Sequence, residues 1–272
     1  MQFLSEVKSV QRLAYEAAVS TRKKLKIGMT EKEACRLMED FFHQRNHRLF
    51  FHRPFAWFGD RTNFTGFKRP SAPKAGQLLP HLGTEFMPTD RRLESGMAVT
   101  LDVAPSVNGI AVDIGYSFGF EEGPEITRAR RDLLLIRDEI LSAAQNKLPI
   151  KEIYRLVERK IITLGYRNCH DLYPLGVLGH KIGKLPLLKF PKISIMGFHP
   201  QAYLYLLKEI SRGSAIMTED ENRPMSPGFW AIEPHIGGKE FGVKFEEIMV
   251  ITESGEAYWL DNDLPHITEL NS

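Results

Sequence analysis

The chain has 272 residues, 43% of them hydrophobic and 26% charged, and a net charge of +2. That charge is too small to argue for nucleic acid or an anionic membrane as partner, and the length fits one large domain or two small ones. Cys35 and Cys169 are too few for a disulfide framework and point to a reducing compartment. The start, MQFLSEVKSVQRLAYEAA, lacks the apolar core of a signal peptide, and no run reaches the roughly 18 apolar residues of a membrane span. A cytoplasmic chain with no membrane partner is the expectation.

Residues 7–26 carry Val10, Leu13, Ala14, Ala17, Thr21 and Leu25 at helical spacing, and Gly28 stops that helix. Thr30 and Glu33 form a T-x-x-E capping box that opens a second helix to about Gln44. Residues 45–97 are punctuated by prolines and glycines and read as loop. Next comes TLDVAPSVNGIAVDIGYSF, residues 100–118, in which Asn108-Gly109 is a type I′ hairpin signal. With those two residues as the turn, Val107 faces Ile110 and Ala104 faces Asp113. Asp102 then shares a face with Asp113, on the diagonal, where side chains stand roughly 7–8 Å apart at their bases. Pro105 lacks an N–H and implies an edge or a bulge beside it.

Helices follow at 125–145 and after Pro149. One common offset superposes Glu33, Arg36, Leu37 and Glu39 on Glu152, Arg155, Leu156 and Glu158. The repeated order of helix, turn, helix, loop and strands suggests two related halves, about 1–122 and 123–256, of a single α+β domain over 1–272. Beyond residue 215, AIM, GFWAIEPHI and FEEIMVIT read as short strands.

Either Asp102 and Asp113 face water on an amphipathic hairpin or something positive sits between them, because an unpaired buried carboxylate costs several kcal/mol. LGHKIG sets His180 in a glycine-flanked turn, and Glu233 and Glu246 each interrupt an apolar run. Four carboxylates and an imidazole suit a pair of divalent ions such as Mn, Fe, Co or Zn, whose charge balances the acids. The competing reading pairs each acid with one of the 36 basic residues.

The ordered set Asp102, Asp113, His180, Glu233, Glu246 resembles the five-ligand dinuclear site of the pita-bread metallopeptidases: methionine aminopeptidase, prolidase, aminopeptidase P and creatinase. The eleven-residue interval between the aspartates, the G-H-x-I-G segment, I-E-P, and Glu246 six residues before Thr252-x-x-Gly255 all match. The resemblance runs from the first helix to about residue 256 and implies a fold of two pseudo-symmetric α+β halves, a curved antiparallel sheet covered by helices. It implies two metals bridged by Asp102 and Glu246, Glu233 as general base, and His81 of Pro80-His81 as a group that contacts substrate or shuttles a proton. The G-V-K-F-E-E run resembles the prolidase branch, where G-V-R-I-E-D is usual.

Three departures concern the substrate. Leu187 stands where these enzymes carry a second histidine, His199 lies in an apparent insertion at 189–214 as a candidate replacement, and Tyr116 stands where an Arg or Lys is usual. The function implied is hydrolysis of an N-terminal peptide bond, Xaa-Pro type ahead of methionine removal, with manganese among the expected metals. The alternatives are non-peptide hydrolase or lyase chemistry of the creatinase kind, and a non-catalytic binding protein. The expected partners are a short peptide or small amide and, for assembly, a second copy in a homodimer.

Overall fold

Thr30 accepts a hydrogen bond from the Glu33 backbone, and the Glu33 carboxylate accepts one from the Thr30 N–H. This reciprocal cap starts α2 (Glu31–His43), which follows α1 (Gln2–Lys24). The computed structural model describes residues 2–68, 84–121, 123–186, 194 and 197–271. Helix α1 begins five residues earlier than the apolar stripe predicts and ends at its lysines, before Leu25.

The segment read as loop contains a ten-residue strand, β1 (Leu49–Phe58), LFFHRPFAWF. Its aromatic residues are buried against neighbouring strands and outweigh Pro54, which sits where the register with the next strand slips. That next strand, β2 (Ala98–Val107), is buried along its whole length. Asn108 and Gly109 turn the chain at φ +53° and +80°, into β3 (Ile110–Ala111) and β4 (Ile114–Gly119). The register set by that turn runs unbroken from Val107↔Ile110 through Asp102↔Gly115 to Ala98↔Gly119. The bulge expected near Pro105 lies on the partner strand, between Phe50 and Phe55 of β1.

Helices α3 (Pro124–Gln145) and α4 (Ile150–Thr163) lead to β5 (Arg167–Asn168) and β6 (Gly179–Ile182). After α5 (Pro200–Ile210) come β7 (Ile216–Met217), β8 (Gly228–Ile232), β9 (His235–Gly237), β10 (Gly242–Ile251) and β11 (Ala257–Trp259), and then α6 (Pro265–Asn271). The strands form one antiparallel sheet whose main path is β1-β2-β4-β10-β8-β6-β7. Strand β10 is its hinge: the first part pairs with β9 and β4, the last part with β8 and β11.

Strand alternation sorts the two faces. Leu101, Val103, Ile114 and Tyr116 pack with Ala14, Tyr15 and Met38 of α1 and α2 in one core. Phe245 and Met249 of β10 pack with Leu133, Ile136 and Ile153 of α3 and α4 in a second. The intervening residues Asp102, Gly115, Lys244 and Glu246 point to the other side of the sheet. No helix among the described residues is long and apolar enough to cross a membrane.

Candidate metal centre

Gly115 pairs with Asp102 on one side and with Glu246 on the other, which makes a row of acid, glycine and acid across β2, β4 and β10. Asp113 follows β3 on the same face, and Glu233 sits just beyond β8. His180 lies on β6 within the sheet, paired with Ala231 and Ile216, and not in the turn that its glycines suggested. The glycine at 179 serves close strand approach: a Cβ there would stand 2.5 Å from the Ala231 carbonyl oxygen. All five residues of the sequence-derived set are buried and converge. Their donor atoms fall into overlapping groups whose members lie within 4.8 Å of one another: Asp113, His180 and Glu246; Asp102, Glu233 and Glu246; and His52, Asp102 and Asp113. Asp102, Asp113 and Glu246 each belong to two groups, so three carboxylates occupy shared positions.

His52 was not among the residues singled out in the sequence. It comes from β1, hidden by the reading of 45–97 as loop. Its Nδ1 donates to the Arg53 carbonyl at 2.8 Å, and its Nε2 lies 3.0 Å from both Asp113 oxygens and 3.2 Å from Asp102 Oδ1. His180 is held in the same manner. Its Nδ1 is 3.1 Å from the Lys181 carbonyl, and its Nε2 is 3.4 Å from Asp113 Oδ2 and 3.8 Å from Glu246 Oε1. A carbonyl on Nδ1 fixes the ring and aims Nε2 at the centre, as metal-ligating histidines require. The rings are further held by stacking, His52 on Phe55 and His180 on Phe51.

Lys244 is the second unforeseen member. Its ammonium donates to Asp102 Oδ2 at 2.7 Å, Glu233 Oε2 at 2.8 Å and Glu246 Oε2 at 3.0 Å, and the side chain is 1% exposed. The signal was present, since Lys244 is two residues from Glu246 on one strand and so shares its face. Behind it, Tyr173 donates its hydroxyl to His235 Nδ1, and His235 Nε2 donates to the Thr62 carbonyl. Burial, with Lys244 nearby, drives the His235 pKa down and keeps the ring neutral.

The charges are strongly coupled. Burial opposes a charge on His52, but Asp113 and Asp102 overcome it and raise its pKa to about 9. Burial likewise disfavours charge on Asp113, yet His52 and His180 hold its carboxyl well below the usual range. Burial and the neighbouring acids push Glu246 up, and burial does the same to Glu233 against the pull of Lys244. Burial disfavours the Lys244 ammonium, and its three carboxylates more than restore it.

The cluster floors a cavity of about 420 Å³. Phe55, Trp57 and Phe198 wall it, and Leu206 and Leu207 of α5 close one side. The other candidate residues lie elsewhere. Tyr116 faces the helices, outside the cavity lining, where its hydroxyl donates to Glu269 Oε1 at 2.6 Å and also meets Arg22. His199 is the N-cap of α5 and accepts from the Gln201 N–H, outside the cavity lining. His81 and Leu187 lie outside the described residues.

Residues 5–253 match the sequence model of the family described as "Metallopeptidase family M24". The chain belongs to metallopeptidase family M24. No curated protein matches this M24 chain in sequence. Its fold is shared with an X-Pro aminopeptidase from Thermotoga maritima MSB8, at TM-score 0.66 and 18% identity, covering 95% of this chain and 60% of that one. A prolidase from Pyrococcus furiosus gives 0.67 at 19% identity, over 96% and 64%. A methionine aminopeptidase from Rickettsia prowazekii gives 0.59 at 14%, over 95% and 96%. The M24 chain therefore spans less than two-thirds of the length of the first two and nearly all of the third. At these identities the likeness is one of fold, the pita-bread sheet with its covering helices. M24 enzymes use divalent metals, and the acid–histidine cluster fits such a group. Two deeply buried carboxylate oxygens, Asp102 Oδ1 and Glu246 Oε1, make no well-formed hydrogen bond among the described residues and instead face the His52 and His180 rings at 3.2 and 3.8 Å.

Proposed function

We propose that this M24 chain is a metal-dependent aminopeptidase or dipeptidase that hydrolyses an N-terminal peptide bond, with Xaa-Pro substrates ahead of N-terminal methionine. One observation carries the reading: Asp102, Asp113, His180, Glu233 and Glu246 converge, with His52, on the floor of an apolar cavity. A divalent ion held there, manganese in the first instance, supplies Lewis-acid polarisation of a carbonyl and acidifies water.

The chain's own groups do the rest. Glu233 takes a proton from the attacking water and delivers it to the leaving amine. His52 and His180, fixed through Nδ1, keep the acids in one arrangement and so limit reorganisation during the reaction. His81, by the resemblance, donates to the developing oxyanion or serves the leaving amine. Phe55, Trp57 and Phe198 exclude water and favour an apolar residue on the N-terminal side of the cleaved bond.

The test is a library of Xaa-Pro, Xaa-Pro-Xaa and Met-Xaa peptides incubated with manganese-loaded protein, with the freed N-terminal residue read by mass spectrometry. Release from Xaa-Pro peptides with bulky apolar Xaa is expected. Failure to cleave any peptide while the ion stays bound would reject the peptidase reading in favour of a non-peptide amide substrate.

A further inference from the structure

The resemblance implies two divalent ions per chain, whereas the floor already holds a cation of its own. The Lys244 ammonium sits among Asp102, Glu233 and Glu246 with all three of its protons donated, at 2.7, 2.8 and 3.0 Å. Those three acids are one of the groups whose spacing suits an ion. The approach is built into the sheet. Gly115 lies under the lysine stem, and a Cβ there would stand 2.5 Å from Lys244 Cε. The Lys244 N–H is anchored by Ser117 Oγ at 2.9 Å, and its ammonium faces the Tyr173 ring at 5.3 Å.

The oxygens that Lys244 leaves alone are equally telling. It takes Asp102 Oδ2 and Glu246 Oε2, and the two oxygens without a hydrogen bond are the other member of each carboxylate, Asp102 Oδ1 and Glu246 Oε1. Both lie toward imidazoles, Oδ1 at 3.2 Å from His52 and Oε1 at 3.8 Å from His180, with Asp113 between the two rings.

We propose that Lys244 is a built-in occupant of one cation position, and that the chain holds a single divalent ion among His52, His180, Asp113, Asp102 Oδ1 and Glu246 Oε1. With neutral imidazoles, four carboxylates against the ammonium and one divalent ion leave a net charge of −1, and the ammonium already neutralises one of the acids that a second ion would otherwise balance. Lysine is suited to the place because its ammonium is a compact point charge with three donors. The proposal rests on the cluster being a divalent-ion site, and its test separates the two claims.

The experiment is manganese titration of chelator-stripped protein by calorimetry, with elemental analysis of the saturated sample and electron paramagnetic resonance of the bound ion. Wild type should take up one ion per chain and give an uncoupled manganese spectrum. Lys244→Met, which keeps the stem and removes the charge, should take up two and give the exchange-coupled spectrum of a pair. His52→Ala should weaken the single site at least tenfold at unchanged stoichiometry. Two ions in wild type, or one in a folded Lys244→Met, overturns the proposal while the metal site stands. If Lys244→Met does not fold, the wild-type stoichiometry decides by itself. Uptake of no ion by either protein removes the metal-site reading along with the proposal.

Discussion

Gly115 and Lys244 are matched across two strands: the glycine's missing Cβ leaves the space through which the lysine stem runs, with 2.5 Å between an added Cβ and Lys244 Cε. Gly115→Ala should force the stem aside. The expected cost is about 1–3 kcal/mol, as for overpacking elsewhere, read as a lower urea midpoint at unchanged slope. An alanine variant as stable as wild type would show that the stem moves freely.

Asp102 contributes one oxygen to Lys244 and turns the other toward His52 Nε2 at 3.2 Å. Asp102→Ala should abolish tight manganese binding and destabilise the protein by roughly 3–5 kcal/mol, the loss typical of breaking a buried ion pair. Elemental analysis and thermal unfolding check both. Full occupancy in this variant would remove Asp102 from the ligand set.

His81 is expected to act on the substrate and not on the ion. His81→Ala should lower kcat by roughly 10²–10⁴-fold, the range for general acid–base groups, with manganese content unchanged. Loss of the ion would make it a ligand.

His199 caps α5 and does not line the cavity. His199→Ala should leave kcat intact and cost about 0.5–2 kcal/mol, as other N-cap losses do. Leu187→His, which restores the donor these peptidases carry, should raise peptide turnover. A fall in kcat for His199→Ala without loss of stability would return that histidine to the reaction.

Glu269 of α6 accepts from the Tyr116 hydroxyl, Arg130 and Arg22. Burial opposes its charge, but these donors prevail and hold its carboxyl below the usual value. A depressed carboxyl stabilises the fold fully above its unfolded pKa of about 4.3, and that contribution disappears as pH falls through the lower folded value. Glu269→Gln should therefore destabilise the protein at pH 7 by about 1–3 kcal/mol, and the gap to wild type should close as the medium is acidified below pH 4. A gap that persists in acid would mean the carboxylate charge is not its source.

Local chemistry carried much of the fold into the sequence. Asn108-Gly109 favours a type I′ turn with both residues at positive φ, and that turn sets the register placing Asp102 and Asp113 on one face. The Thr30–Glu33 box and the ordered five-residue motif are likewise short-range or linear patterns. His52 and the strand that carries it were not legible, because Pro54 and the surrounding turn residues argue for loop, and only burial of the aromatics between β2 and the cavity outweighs them. Lys244 was legible as a neighbour of Glu246 but not as the partner of Asp102 and Glu233, which approach from β2 and from the end of β8. Alternation tells which face a side chain takes. Which charges meet there is decided by sheet curvature and by the space left at Gly115, and both exist only once distant strands have paired.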